Sequence, residues 1–281
     1  MFRTREVFIS ESGAAARIAL LFALLMTACS QPAVNNTNTA AQVNENVTSV
    51  SRPGANPEST ITIVSPDGVR LVGSLFDSGK PNSPALLLLH QWQSDRHSYD
   101  DFAKRMQAKG FAVLAIDGRG FGESTKKIDG GALTAGRTDA DVKAMLGDVD
   151  AAIGFLKKQS DVDLGRIAIV GASYGSSLAI IYAADHPEIR SVALLSPGLN
   201  YFGNMQTAPA IKKYGDRALL MIAAEDDRES ADAVRELKKA ATYDEYQTQV
   251  FPSGGHGTSI FQAKVGLEDS LEKFLAASLQ K

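Results

Sequence analysis

The sequence predicts an α/β chain, a mostly parallel sheet with helices on both faces, and three observations lead there. From Ile61 onward, short apolar runs alternate with segments of helical periodicity. Two of the runs, Ala85–Leu89 and Ala218–Ile222, are apolar at every position, as strands covered on both faces are. Helix start and stop signals stand between the runs. Strand and helix in alternation give parallel neighbours joined by helical crossovers.

Taken in order, the first strands are expected at Ile61–Val64 and Val69–Leu75, joined by the tight turn that Pro66-Asp67-Gly68 favours, so the sheet begins antiparallel. Ala85–Leu89 follows. Ser98 with Asp101 marks a helix carrying Tyr99, Phe102 and Met106, which Gly110 closes. Phe111–Ile116 is the next strand. Thr138 with Asp141 then reads as a capping box, ahead of a face made by Val142, Met145, Val149, Ile153 and Leu156. Asp139, Asp141, Asp148 and Asp150 lack the glycine and glutamate of a calcium loop and are expected to be solvated positions and an N-cap. Arg166–Val170, the helix-like Ser176–Asp185, Ser191–Leu195, Ala218–Ala223 and Gln247–Phe251 complete the alternation. A last helix carries Leu267, Leu271, Phe274 and Leu275.

Composition narrows the function. The 281 residues hold 29 Lys and Arg against 32 Asp and Glu, a net charge of −3, which gives no basic footprint for nucleic acid. No run reaches the roughly 17–25 apolar residues of a membrane-spanning helix. Before the sheet, Arg3, Arg5 and Arg17 precede the nine-residue apolar run Ile18–Met26, which leads into Thr27-Ala28-Cys29. A charged start, a short apolar core and a small residue before the cut are the marks of a secretory signal. The single cysteine of the chain, Cys29, stands where cleavage would make it the first residue. This segment resembles a bacterial lipoprotein lipobox, with Met26 where Leu is usual. The resemblance implies removal of residues 1–28, lipidation at Cys29 and an exported, membrane-anchored protein. Ser30 after the cysteine suggests the periplasmic face of the outer membrane in a Gram-negative cell. Residues 29–59, poor in apolar side chains and without an aromatic from Ser30 on, are expected to be a disordered tether, and 60–281 one folded domain.

In such a sheet the reactive groups gather at the carboxyl ends of strands. One strand ends in Gly171-Ala172-Ser173-Tyr174-Gly175 and runs at once into a helix, the context of a nucleophile elbow. A serine hydroxyl needs a base, and the base needs an orienting group. Of four histidines, His256 lies in the glycine-rich loop Pro252–Gly257 just past the last strand. His90 ends a strand and is expected to shape its turn, His97 begins a surface helix, and His186 is expected to be exposed at a helix end. The acid is expected at the end of Ala218–Ala223, as Asp227, with Asp226 the alternative. Serine, then acid 54 residues on, then histidine 29 further, is the α/β-hydrolase order.

With Leu88-Leu89-His90-Gln91-Trp92 and Asp117-Gly118-Arg119-Gly120-Phe121-Gly122 added, residues 60–281 resemble the α/β-hydrolase superfamily. The nearest likeness is to the dienelactone-hydrolase-like and serine-aminopeptidase-like esterases without a large cap. The resemblance implies an eight-stranded sheet and an oxyanion hole from the backbone N–H groups of Trp92 and Tyr174. Gln91 stands where the family usually has glycine. Gly118-x-Gly120-x-Gly122 has the wrong spacing for a dinucleotide loop. The expected activity is that of a monomeric carboxylesterase with a Ser173–His256–Asp227 triad, no cofactor and no metal. A peptidase, a thioesterase or a non-catalytic envelope-binding lipoprotein are the alternatives, and a dehalogenase fails on Ser173. Only Pro197–Asp216 lies between two of the strands, so a small or accessible ester is expected, with Tyr201, Phe202 and Met205 as a small lid or as core.

Overall fold

Ser65 sets the first turn. In the computed structural model, which describes residues 58–280, its Oγ donates to Asp67 Oδ1 (2.6 Å) and accepts from Val69 N (3.0 Å), while Gly68 takes φ +81°. The flanking strands β1 (Glu58–Val64) and β2 (Arg70–Phe76) therefore run antiparallel, with Val64 opposite Arg70. Val69 bridges only to Lys127, so the second strand begins one residue later than the sequence suggests.

The sheet continues through β3 (Ser83–Leu89), β4 (Ala112–Ile116), β5 (Val162–Ala172) and β6 (Ile189–Leu195). After the two-residue strands β7 (Asn200–Tyr201) and β8 (Met205–Gln206), which form a separate hairpin, come β9 (Ala218–Ala224) and β10 (Gln247–Phe251). The large sheet has eight strands in the order β1-β2-β4-β3-β5-β6-β9-β10. β2 meets β4 antiparallel, and every pairing from β4 to β10 is parallel. The helices are α1 (Asp100–Ala108), α2 (Asp139–Lys157), α3 (Tyr174–Asp185), α4 (Thr207–Tyr214), α5 (Arg228–Ala240), the short α6 (Ser259–Gln262) and α7 (Leu267–Ser278).

Alternation along the strands explains their unbroken apolar runs. Leu87 and Leu89 of β3, with Leu219, Met221 and Ala223 of β9, face one core with Val149, Leu178, Ile211 and Val234 from α2–α5. Leu86 and Leu88, with Leu220, Ile222 and Ala224, face a second core with Phe102, Met106, Leu271 and Phe274 from α1 and α7. At about 25 cal/mol per Å² of apolar surface removed from water, these two faces supply the main drive for folding. Among the described residues no helix is long and apolar enough to cross a membrane. The signal, Cys29 and residues 29–57 of the expected tether lie outside the described residues, whereas Glu58 and Ser59, expected to end the tether, pair with Phe76 and Leu75 as the start of β1.

Thr138 and Asp141 form the expected capping box at the start of α2. The expected start at Ser98 and Asp101 is corrected. Asp95 accepts from His97 N, and a single 3-10 turn, Arg96–Tyr99, precedes α1. The chain is pinned early because Arg96 binds the buried Asp117 through its backbone N–H (2.8 Å) and its guanidinium. Asp148 is also not a solvated position. It lies on the buried face of α2 with Met145 and Ala152, and its side chain is only 4% exposed. There it accepts two hydrogen bonds from Arg119 (both 2.6 Å), which also holds Asp67. Gly122 makes room for the Asp117 carboxylate, which a Cβ there would meet at 2.3 Å.

Removing one partner of a buried ion pair leaves an uncompensated charge. Arg119→Met is therefore expected to cost about 3–5 kcal/mol in urea unfolding, with much of the loss recovered by adding Asp148→Met. An unchanged midpoint in the single variant would show that the pair does not matter to stability.

Candidate active site

The turn between β5 and α3 leaves no room for side chains on its flanks. A Cβ on Gly171 would lie 2.1 Å from the carbonyl oxygen of Gly175, and one on Gly175 would lie 2.7 Å from the carbonyl oxygens of Leu89 and His90. Between them Ser173 is held at φ +54°, ψ −125°, a conformation that costs a non-glycine residue on the order of 1–3 kcal/mol. Its N–H donates to Leu195 O (2.8 Å), and its carbonyl accepts from Ser176 N (2.9 Å) and Ser176 Oγ (2.6 Å). The strained serine is thus fixed by β6 on one side and by the first turn of α3 on the other.

His256 stands in the loop after β10, and its ring bridges two of the other residues singled out above. Nε2 lies 2.7 Å from Ser173 Oγ, and Nδ1 lies 2.7 Å from Asp227 Oδ2. Burial pushes the Asp227 carboxyl up, but hydrogen bonds from His256, Ser230 and Ser196 outweigh it and hold the group below the usual carboxylate range. An ionised Asp227 can only accept, so the Nδ1 proton points to it and Nε2 is left to accept from the serine hydroxyl.

Asp226 turns the other way. Its carboxylate accepts from Gly254 N (3.0 and 3.1 Å) and from Gly255 N (3.1 Å), and these backbone donors hold it below the usual range. Asp227 meets the ring, and its neighbour ties down the loop that carries the ring. Ser196, at φ +48° just past β6, adds a third tie by accepting from Gly257 N (2.8 Å). Gln91 is a fourth, since its Oε1 accepts from Thr258 N (2.7 Å) and Thr258 Oγ1 (3.0 Å). The amide fills the space beside Gly257, where a Cβ would sit 2.1 Å from Gln91 Oε1.

His90 shapes its turn, as expected. Nε2 accepts from Gly118 N (2.8 Å), Nδ1 donates to Gln91 O (2.7 Å), and burial pushes its pKa down, so the ring is neutral. Trp92 follows in a turn after β3, and Tyr174 is the first residue of α3, their rings 5.4 Å apart. Among the described residues the Trp92 N–H has no acceptor, and the Tyr174 N–H, first in its helix, has no intrahelical one. The remaining histidines lie elsewhere. His97 is exposed beside Asp100 (3.0 Å), whereas His186 is half-buried rather than exposed because its ring stacks on Tyr182 at 3.8 Å.

The β7–β8 hairpin covers the site. Tyr201 donates to Ser196 O (2.9 Å), and its hydroxyl also interacts with Ser173 and Ser230. Burial and the nearby charges of Asp227 and Glu229 push it up to about 12 despite those hydrogen bonds. Phe202 packs on Trp92 at 4.8 Å. Met205, by contrast, is fully buried and belongs to the core, the second of the two places the sequence left open for it. Ser196, Ser230 and the tethering roles of Asp226 and Gln91 were not singled out from the sequence. The strand-end rule could have found Ser196, which directly follows β6. Among the described residues no three His, Cys, Asp or Glu side chains converge as a metal site.

Sheet, helices and elbow together define an α/β hydrolase without a cap domain, and comparison with known proteins agrees. Residues 80–243, more than half of the chain, match the family described as serine aminopeptidase, S33, and the chain belongs to that family. The match takes in Ser173 and Asp227 and ends before His256. A thiohydrolase of Aspergillus aculeatus is 27% identical over 140 residues, 50% of this chain and 41% of that protein. An uncharacterised protein of Mycobacterium tuberculosis is 31% identical over 138 residues, 49% of this chain and 44% of its own length. The chain thus spans less than half the length of these curated relatives. Among solved structures, the α/β hydrolase GrgF of Penicillium superposes with a TM-score of 0.67 at 14% identity, covering 80% of this chain and 99% of that one. An esterase of Pyrococcus furiosus gives 0.65 at 18% identity, covering 82% and 97%. At these identities the structures speak for the fold alone.

Proposed function

We propose that the chain is a serine hydrolase, a carboxylesterase acting on small or accessible esters through an acyl-enzyme on Ser173. The observation that carries this reading is the continuous relay from Ser173 Oγ through His256 to Asp227, at 2.7 Å on each side of the ring. His256 Nε2 takes the hydroxyl proton as Ser173 Oγ attacks the ester carbonyl, and the ionised Asp227 stabilises the imidazolium. The N–H groups of Trp92 and Tyr174 hold the oxyanion, a contribution of about 3–4 kcal/mol for each donor. Collapse expels the alcohol, which receives the proton from His256. Water then attacks the acyl-serine with the same base and returns the free acid and the serine. The short hairpin over the site, in place of a cap, supports the preference for small or accessible substrates. Thioesters and peptides would react through the same groups, and the family's description keeps the aminopeptidase reading in view.

A panel of nitrophenyl acetate and butyrate, an acyl thioester and an aminoacyl nitroanilide separates these readings. Ester turnover is expected in the wild type, with none above background in Ser173→Ala. Asp227→Asn, which gives the ring the wrong tautomer, is expected to lower kcat on the order of 10⁴-fold. Asp226→Asn keeps an acceptor for the loop and is expected to lower it far less. No turnover of any panel member by the folded wild type would overturn the catalytic reading. A larger loss in Asp226→Asn than in Asp227→Asn would overturn the assignment of the acid.

The first residues support a further part of the proposal, that the protein is exported and anchored by lipid at Cys29 in the bacterial envelope. Removal of residues 1–28 takes three Arg and two Glu, leaving −3 − 1 = −4 on the mature chain. An alkyne-tagged palmitate fed to bacteria expressing the full chain is expected to label it, and Cys29→Ser is expected to lose the label. Wild-type protein recovered unlabelled from the soluble fraction would overturn the anchor.

A further inference from the structure

Arg137 stacks on two of the rings that border the site. Its guanidinium lies 4.7 Å from the centre of the Trp92 ring and 5.1 Å from that of Phe202, one residue from the candidate oxyanion turn and the other from the covering hairpin. The residue is exposed, yet its place is fixed. Asn204 in the hairpin donates to the Arg137 carbonyl (3.1 Å) and to Asp139 Oδ1 (2.9 Å), and the next residue, Thr138, caps α2.

Other stacked or buried arginines have their donors committed. Arg217 also lies over a ring, Tyr214 at 3.9 Å, but it donates to the carbonyls of Ala183, His186, Ile189 and Tyr214. Arg119 and Arg96 hold buried carboxylates. Among the described residues the Arg137 guanidinium has neither a carboxylate within 4.0 Å nor an acceptor for its N–H groups, and Asp139 Oδ1 accepts from Asn204 instead. A guanidinium fixed by stacking, with its fork unoccupied, is arranged to take a planar anion in two-point contact.

We propose that Arg137 is a specificity-determining residue that binds a carboxylate on the substrate, so that the preferred esters are anionic, either on the acyl side or on the alcohol side. This rests on the serine-hydrolase reading above. It also counts against substrates with a free ammonium next to the scissile bond, which the same cation would repel.

The test measures kcat/KM for two matched pairs: 4-nitrophenyl hemiglutarate against 4-nitrophenyl pentanoate, and 3-acetoxybenzoate against phenyl acetate. The wild type is expected to favour the anionic member of at least one pair, and added salt is expected to reduce that preference. In Arg137→Gln the anionic-to-neutral ratio for that pair is expected to fall about tenfold, as loss of a charged hydrogen bond does, with part of it kept in Arg137→Lys. No preference in either pair, or a ratio that Arg137→Gln leaves unchanged, would overturn the proposal. Hydrolysis of the neutral esters, lost in Ser173→Ala, tests the underlying reading separately. A flat ratio with neutral turnover intact removes only the role of Arg137.

Discussion

The contact between the start of α3 and the end of β3 governs the rest of the site. Gly175 packs against the Leu89 and His90 carbonyls so closely that any side chain would collide. That approach forces Ser173 into positive φ and lifts its hydroxyl out of the sheet. The strain, on the order of 1–3 kcal/mol, is offset by a backbone hydrogen bond to Leu195 and by two from Ser176. The same contact sets the first N–H of α3 beside the turn after β3, where Trp92 lies. Ser173 and the proposed oxyanion donors are thus positioned by one packing event rather than by independent loops.

The histidine has the opposite problem, since a glycine-rich loop is cheap to bend and costly to hold. Four ties restrain it, from Asp226, Ser196, Gln91 and the imidazole contact with Asp227. The ties come from the residues just past three strands of the parallel part of the sheet, Gln91 after β3, Ser196 after β6, and Asp226 and Asp227 after β9. Gln91 shows how a departure from the usual glycine is absorbed, because its amide reaches across to Thr258 and occupies the space that Gly257 leaves open. Preorganisation of this kind keeps the His256 ring within hydrogen-bond reach of Ser173, which in the proposed reaction holds base and nucleophile together at little reorganisation cost.

Most of the sheet was legible in the sequence because both faces are covered, so Ala85–Leu89 of β3 and all of β9 are apolar and their carboxyl ends could be searched for chemistry. The β7–β8 hairpin was not, since two-residue strands carry no periodicity. The misplaced cap at Ser98 and the misjudged Asp148 share a cause. Arg96 answers to Asp117 and Asp148 to Arg119, partners more than twenty residues away that a local pattern does not contain. Helical spacing did place Asp148 on the face of Met145 and Ala152, a signal that a charged residue there needs a partner. Ser173, His256 and Asp227 were readable from strand ends and chain order, while the choice between Asp226 and Asp227 took the hydrogen bonds themselves.

The central claim is that Ser173 is activated by His256, and one measurement addresses it without a guess at the substrate. The folded chain from residue 59 is treated with a fluorophosphonate, beside Ser173→Ala and His256→Ala, and the adduct is located by peptide mass spectrometry. The account predicts a single phosphonylated serine at Ser173 and none in either variant. A folded wild type that stays unlabelled, or a label retained in His256→Ala at the wild-type rate, would contradict it.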